Sequence, residues 1–264
     1  MTRIRIAPGS PGPETPGPAR LRLVPGLLQP RTVGRGDRWA HVALVAGGAM
    51  LLGGDHVRVE VEVEDGCVLE IEDVGGTVAY ESTGEPSRMD ITIRLGKCSR
   101  LLWRAHPFVI AGGADVDRTT SIELGRHSSV LLRETLVLGR SGERGGLLRS
   151  SVHAREADGT PVFLEDLALD GARPRAGVLG DHRVLDSALL LGCRPPDPAD
   201  ASSATTAAGS VSAVGTGSAV APPAPGSAAP RVLHLERAGA IARSLGPHAH
   251  ASGIGAIMEK WERT

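Results

Sequence analysis

Residues able to do chemistry are unevenly spread along this 264-residue chain. The densest stretch is Leu131–Gly146, LLRETLVLGRSGERGG. It is a β-rich run with Arg133 and Glu134 inside it, and it ends in a glycine-punctuated loop carrying Arg140, Glu143 and Arg144. A strand feeding a rigid, charged loop is a place to build a recognition surface. A carboxylate set among apolar residues needs a partner or a polar channel. Glu134, Glu143, Glu165 and Asp166 are so placed, with Arg133 or Arg140 as candidate partners. An ordinary structural ion pair stays open as the plainer reading.

Metal-ligating types are sparse. Nine histidines are scattered, and His248-x-His250 is the one close pair, in a proline-flanked loop. Two loop histidines hold a borderline metal weakly at best, and solvated histidines are the simpler account. His56 beside Asp55 is a better, still weak, metal candidate. The carboxylates Glu60, Glu62, Glu64, Asp65, Glu70, Glu72 and Asp73 read mainly as solubility charges on a wet strand face. Neither a GxSxG elbow, a Walker A loop nor an HExxH helix is present, so no catalytic signature points to an enzyme. The Gly-Gly pairs at 47–48, 53–54, 75–76, 112–113 and 145–146 read as turns.

The elements that must position these residues are strands. Val57, Val59, Val61 and Val63 alternate with charged residues, which is the period of a strand with one buried face. Asp65-Gly66 then signals a turn, with Cys67–Ile71 as the returning strand. Similar runs follow at Met89–Leu95, Leu101–Trp103, Thr120–Leu124, Val130–Leu138, His153–Glu156 and Val162–Leu169. Turn glycines at 66, 96, 125 and 159 are separated by 30, 29 and 34 residues. That near-regular period predicts an all-β fold of stacked, solenoid-like β units, with ordinary sandwich hairpins as the alternative. Residues 1–20, with five prolines at positions 8 to 18, read as a flexible leader. Residues 21–194 form the β domain, and 195–230, poor in charge and rich in Ala, Ser, Pro and Gly, read as a disordered insertion. Residues 231–264 complete the domain with a strand at Val232–Leu235 and two short helices, Ala238–Leu245 and Gly253–Thr264.

A net charge of −1 gives no electrostatic case for nucleic acid. Six aromatic residues argue against base-stacking or sugar-stacking surfaces. Cys67, Cys98 and Cys193 are widely spaced and odd in number, which argues against a disulfide framework and points to a reducing cytosol. No run of about 18 apolar residues predicts a membrane span, and the N-terminus lacks a signal-type apolar core.

Four blocks in order carry a resemblance. These are GGDHVRVEVEVEDG (53–66), LLWRAHPFVIAGGADVDRTTSIEL (101–124), LLRETLVLGRSGERGG (131–146) and VLGDHRVLDSALLLG (178–192). Together they resemble the urease accessory protein UreD family, called UreH in some bacteria, in its actinobacterial form. The family's usual proline after the tryptophan is replaced here by Arg104-Ala105-His106-Pro107. The resemblance implies a cytoplasmic, non-enzymatic maturation factor with a β-helical fold and two C-terminal helices. It further implies binding to urease apoprotein and a UreF-type accessory protein, which brings in a UreG-type GTPase. Nickel would be cargo in transit, not a tightly bound cofactor, crossing an internal polar passage. On that reading Asp55, Glu134, Arg140 and Glu143 are the residues expected to shape the passage or the partner surface. The competing expectation is a β-solenoid binding module for carbohydrate or protein, or a solenoid lyase built on arginine and carboxylates, since Lys97 and Lys260 are the only lysines.

Overall fold

Period-two runs become strands here, but they pair with the strand one turn of the chain away instead of with their neighbour. The computed structural model describes residues 1–10, 17–175, 177–196 and 229–264. β5 (His56–Val63), β8 (Ser87–Leu95), β11 (Asp115–Leu124) and β13 (Leu147–Glu156) stack in parallel in one sheet. β4 (Trp39–Ala46), β6 (Val68–Asp73), β9 (Arg100–Arg104) and β12 (Ser129–Leu138) stack in parallel in a second. Short β7 (Thr77–Ala79) and β10 (Phe108–Ile110) add a third wall, joined to β12 at Leu136–Leu138. The result is a β-solenoid in which each turn of chain forms one rung.

The Asp65-Gly66 turn is therefore a corner between two sheets and not the hairpin its dipeptide suggests. β5 pairs with β8 and with β1 (Thr2–Ala7), while β6 pairs with β4 and β9. At this corner Gly66 has φ +67, Cys98 φ +53 and His127 φ +58. All three occupy the same place in their rungs, two residues before the aligned Val68, Arg100 and Ser129. Gly96 and Gly125 stack so closely that a Cβ on Gly125 would lie 2.5 Å from the Gly96 carbonyl carbon. Parallel register also stacks outward-facing side chains. On the first sheet Arg5, Glu62, Arg94, Glu123 and Arg155 form one row of alternating sign. Like charges stacked rung on rung would repel.

Both ends of the stack are closed by antiparallel strands. At one end β1 (Thr2–Ala7) lies between β5 and β2 (Arg20–Val24), and β3 (Leu28–Arg35) pairs with β4. Residues 2–7 are thus part of the core and not of a flexible leader, because TRIRIA itself alternates and buries Ile4 and Ile6 completely. The prolines that suggested a leader begin only at Pro8, and residues 11–16 lie outside the described set. At the other end stand β14 (Pro161–Asp170), β15 (Val184–Leu191), β16 (Arg231–His234) and β17 (Gly239–Gly246). The helix expected at Ala238–Leu245 is instead β17. Its small residues Gly239, Ala240 and Ala242 let it lie flat between β15 and β16 under the true helix. Among the described residues one α-helix remains, α1 (Ile254–Trp261), preceded by a 3-10 turn at Ala249–Ala251. Most of the expected 195–230 insertion falls outside the described residues.

α1 covers the outer face of the second sheet. Ile254, Met258 and Trp261 pack on Leu102, Leu131, Ala188, Leu190, Ala240 and Ala242. Asp186, fully buried, fixes the start of this unit. It accepts from Arg133 Nη2 (2.9 Å) and Thr135 Oγ1 (2.8 Å) and bonds the Ser252 hydroxyl. Arg100 Nη2 donates to the Glu262 carbonyl at 2.6 Å at the other end of the helix, and Arg104 forks onto the Glu262 carboxylate at 2.8–2.9 Å. Asp186→Ala is expected to cost about 3 kcal/mol, since each buried donor left unpaired costs roughly 1–3 kcal/mol. A urea unfolding curve with an unchanged slope would show it as a lower midpoint.

Candidate functional site

The interior of the solenoid changes character along its length. Inward rows at the first rungs are aliphatic: Ile4, Val61 and Ile93 in one, Val57 and Met89 in another. Further along, the same rows become polar. Val57–Met89 continues into Arg118 and Ser150, and Val59–Ile91 continues into Thr120, Val152 and Glu165. On the facing sheet Glu134, Ser187 and Arg243 are one inward row. Asp73 lies in the same row two rungs earlier, one residue past Glu72, as Glu134 is one past Arg133, both of which align with Arg104.

These side chains line a cavity between the sheets, together with Leu28, Leu44, Trp103, His106, Phe108, Phe163 and Ile241. The lining runs from β3 to β17. The space measures about 90 Å³, room for several waters at roughly 10–15 Å³ of free volume each. Arg118 reaches across from the first sheet to pair with Glu134 on the second. Its guanidinium also lies over the Phe108 ring, 5.3 Å from the centroid. With the side chain only 11% exposed, burial pulls Arg118 down to about 10, opposed by Asp73, so it stays charged at neutral pH. Arg243 pairs with Glu165 and so ties β17 to β14 across the two sheets. Asp73 accepts from Trp103 Nε1 (3.1 Å) and from the His106 backbone N–H (3.3 Å). Burial nevertheless holds its carboxyl above the ordinary range.

Of the residues singled out by sequence, Glu165 lines this cavity beside Arg243, and Glu134 points into it from the second sheet. The partner of Glu134 is neither Arg133 nor Arg140. Arg133 faces outward to Asp186, and Arg140 pairs with Glu143 at 2.6 Å. Arg118 was missed because the alternation was read from Thr120 onward; carried back two residues, it places Arg118 on the buried face. Asp73 was read as a surface charge, and its strand parity alone separates it from Glu72.

Arg140, Glu143 and Asp55 lie instead on one rim of the solenoid, where glycine loops from successive rungs stack. Glu143 Oε2 accepts from the backbone N–H of Gly112 (2.9 Å) and of Arg140 (3.0 Å). These bonds, the Arg140 side chain first, hold Glu143 down at about 2. Ser82 N–H bonds the Gly113 carbonyl at 3.0 Å, and Gly54 N–H the Glu85 carbonyl at 3.2 Å, which continues the stack to the Gly53-Gly54-Asp55 turn. Asp55 closes that turn by accepting from Leu52 N–H at 3.0 Å. His56, the weak metal candidate, pairs with Asp90 at 2.6 Å and receives Arg58 on its ring nitrogens. A guanidinium packed there disfavours a metal cation. Among the described residues no three His, Cys, Asp or Glu side chains are grouped to hold a metal ion. His248 and His250 stack on one another, 5.4 Å between ring centroids.

Comparison with known sequences decides the lineage. Residues 20–255 match the profile of the UreD urease accessory protein family. The chain belongs to the UreD family. It is 42% identical over 179 residues to urease accessory protein UreD 1 of Streptomyces griseus, covering 67% of this chain and 70% of that one. It is 32% identical over 182 residues to UreD 2 of Saccharopolyspora erythraea, covering 67% of this chain and 63% of that one. UreD 3 of Streptomyces griseus is 31% identical over 194 residues, 65% of this chain and 75% of the relative.

The four UreD-like blocks acquire distinct structural places, the last of them, 178–192, supplying β15 with the buried Asp186. GGDHVRVEVEVEDG supplies the rim turn and β5. The tryptophan block supplies β9, β10 and β11, including Phe108 and Arg118. The glycine-arginine block supplies Glu134 and the Arg140–Glu143 clasp. No helix among the described residues is long and apolar enough to cross a membrane.

Two outcomes follow. Asp73 has a folded-state pKa above its unfolded one, so its ionisation opposes folding above that raised value and carries no penalty below the ordinary carboxylate range. Asp73→Asn, which keeps one acceptor oxygen for Trp103 Nε1 and gives up the longer bond from His106 N–H, is expected to be more stable relative to wild type at pH 8 than at pH 4, read as the difference in Tm. Glu143→Gln is expected to leave global unfolding nearly unchanged while amide hydrogen exchange quickens at Gly112 and Arg140, read by exchange mass spectrometry or NMR.

Proposed function

We propose that this chain is a non-enzymatic urease maturation factor. It binds urease apoprotein and a UreF-type partner that carries a UreG-type GTPase, and it passes nickel toward the urease active site through the cavity between its sheets. Membership of the UreD family supports the urease role. The observation that carries the passage is the set of inward-facing carboxylates, Asp73 and Glu134 on the second sheet and Glu165 on the first, inside a solenoid whose first rungs are aliphatic. Buried carboxylates are costly, and packing would be served as well by valine or leucine.

Nickel accepts oxygen and nitrogen ligands. Asp73 and Glu134 lie two rungs apart, about 9–10 Å at the usual strand spacing. They are therefore successive stations, not one chelate, and single-carboxylate stations bind weakly enough to release an ion. The rim carrying Asp55, Arg140 and Glu143 is rigid, glycine-stacked and charged, and serves as partner surface. The carbohydrate-binding alternative finds little support in the aromatic residues: Trp103, Phe108 and Trp261 are buried, Tyr80 and Phe163 half-buried, and only Trp39 is exposed.

The test is co-expression of the tagged chain with urease subunits and the UreF- and UreG-type proteins. Wild type is expected to be recovered in a complex and to support nickel-dependent urease activity. Glu134→Gln is expected to be recovered in the same complex but to lower activation about tenfold, the equivalent of 1.4 kcal/mol. Full activation by a well-folded Glu134→Gln protein overturns the passage, and a chain that stays alone beside its partners overturns the maturation role.

A further inference from the structure

Arg118 is the least expected group inside the cavity. A cation passage gains nothing from a fixed positive charge on its wall, yet Arg118 stands at the station of Glu134 and is almost closed off from solvent. Nη1 of its guanidinium lies against Glu134 as an ion pair and its face covers Phe108, while neither of the buried atoms Nε and Nη1 makes a hydrogen bond. A guanidinium at full rest in a protein interior is held on most of its donors. This one is held on one side only, beside an aromatic ring that can take the cation when the carboxylate lets go.

We propose that Arg118 is a resident counter-cation: it occupies the Glu134 station that a divalent cation would otherwise take, so a cation in transit must break it away from Glu134 and leave it on Phe108, which it already covers. This rests on the passage reading and names the residue that keeps it closed. Arg118 is nearly buried and Glu134 half-buried, with side chains 11% and 27% exposed. Without Arg118, Glu134 would stand unpaired in a partly desolvated wall, which is unfavourable. With it, the empty protein is neutral at that station. An arriving dication supplies more charge to Glu134 than the guanidinium does, and exchange becomes downhill only when the cation has already shed water on the way in. The exchange needs no chemistry beyond breaking one ion pair and forming another. The neighbouring Arg243–Glu165 pair, which bridges β17 and β14, is built the same way, with Arg243 Nε likewise unpartnered.

The experiment uses the purified full chain, free of a histidine tag, and nickel(II) chloride alone, followed by equilibrium dialysis and by Tm. Wild type is expected to bind nickel weakly and without a thermal shift. Arg118→Met keeps the apolar stem over Phe108 and frees Glu134; it is expected to bind about tenfold more tightly, equivalent to 1.4 kcal/mol, and to gain Tm with nickel. Arg118→Met combined with Glu134→Gln is expected to lose that gain. If Arg118→Met does not fold, Arg118→Lys retains a compact charge without the fork and is expected to show a smaller gain of the same kind. A folded Arg118→Met or Arg118→Lys protein with wild-type nickel affinity overturns the proposal, as does a gain that survives Glu134→Gln. Failure of the passage reading looks different: the nickel gain is present, but Glu134→Gln still activates urease fully.

Discussion

Parallel, in-register stacking is the constraint from which the other features of this protein follow. When each turn of chain lays its strands directly over the previous ones, residues at equivalent places become neighbours at roughly 4.8 Å. A row is then either compatible throughout or strained throughout. The outward row Arg5–Glu62–Arg94–Glu123–Arg155 answers by alternating sign. The corner answers by repeating a left-handed residue at Gly66, Cys98 and His127, and by stacking Gly96 and Gly125 where no Cβ fits.

The same constraint builds the interior. A purely aliphatic row would continue aliphatic, as it does from Ile4 to Ile93. The switch to Arg118, Thr120, Glu134, Glu165, Ser187 and Arg243 in later rungs breaks the packing rule on both facing sheets at the same depth. Charges so placed must find one another, and they do so across the gap between sheets, Arg118 with Glu134 and Arg243 with Glu165. Each pair is at once a strut holding the two sheets and a charged element of the cavity wall. A closed aliphatic core would be simpler to stabilise, which is why the polar rows are read as function.

The outer face of the second sheet is treated differently. There the charged group Asp186 is saturated by Arg133, Thr135 and Ser252, and the apolar residues around it are roofed by α1. Asp186 and Glu134 come from paired strands and both carry arginine partners, but Asp186 is a fastening with three donors and Glu134 has one. The difference in saturation makes Asp186 a structural anchor and leaves Glu134 with a single ion pair.

Much was determined by the sequence alone. Alternation in Val57–Val63 and Met89–Leu95 specifies strands, and the spacing of Gly66, Gly96 and Gly125 specifies a repeat of about one rung, because side-chain period and turn chemistry are local properties. The same local reading placed Glu134 among apolar residues and identified the glycine loop that holds Arg140 and Glu143. It failed where the decision is not local. TRIRIA was passed over beside a proline-rich stretch, although it fills a gap in a sheet with β5, more than fifty residues away. Ala238–Leu245 suits a helix by composition and becomes a strand because β15 offers it an edge and α1 needs a flat bed. The partner of Glu134 could not be named, since Arg118 lies on the opposite sheet and only the closing of the solenoid brings them together. Which carboxylates face water and which line the cavity was likewise decided by tertiary structure: Glu72 and Asp73 are adjacent in sequence, and strand parity with a facing sheet puts one in water and the other in the cavity.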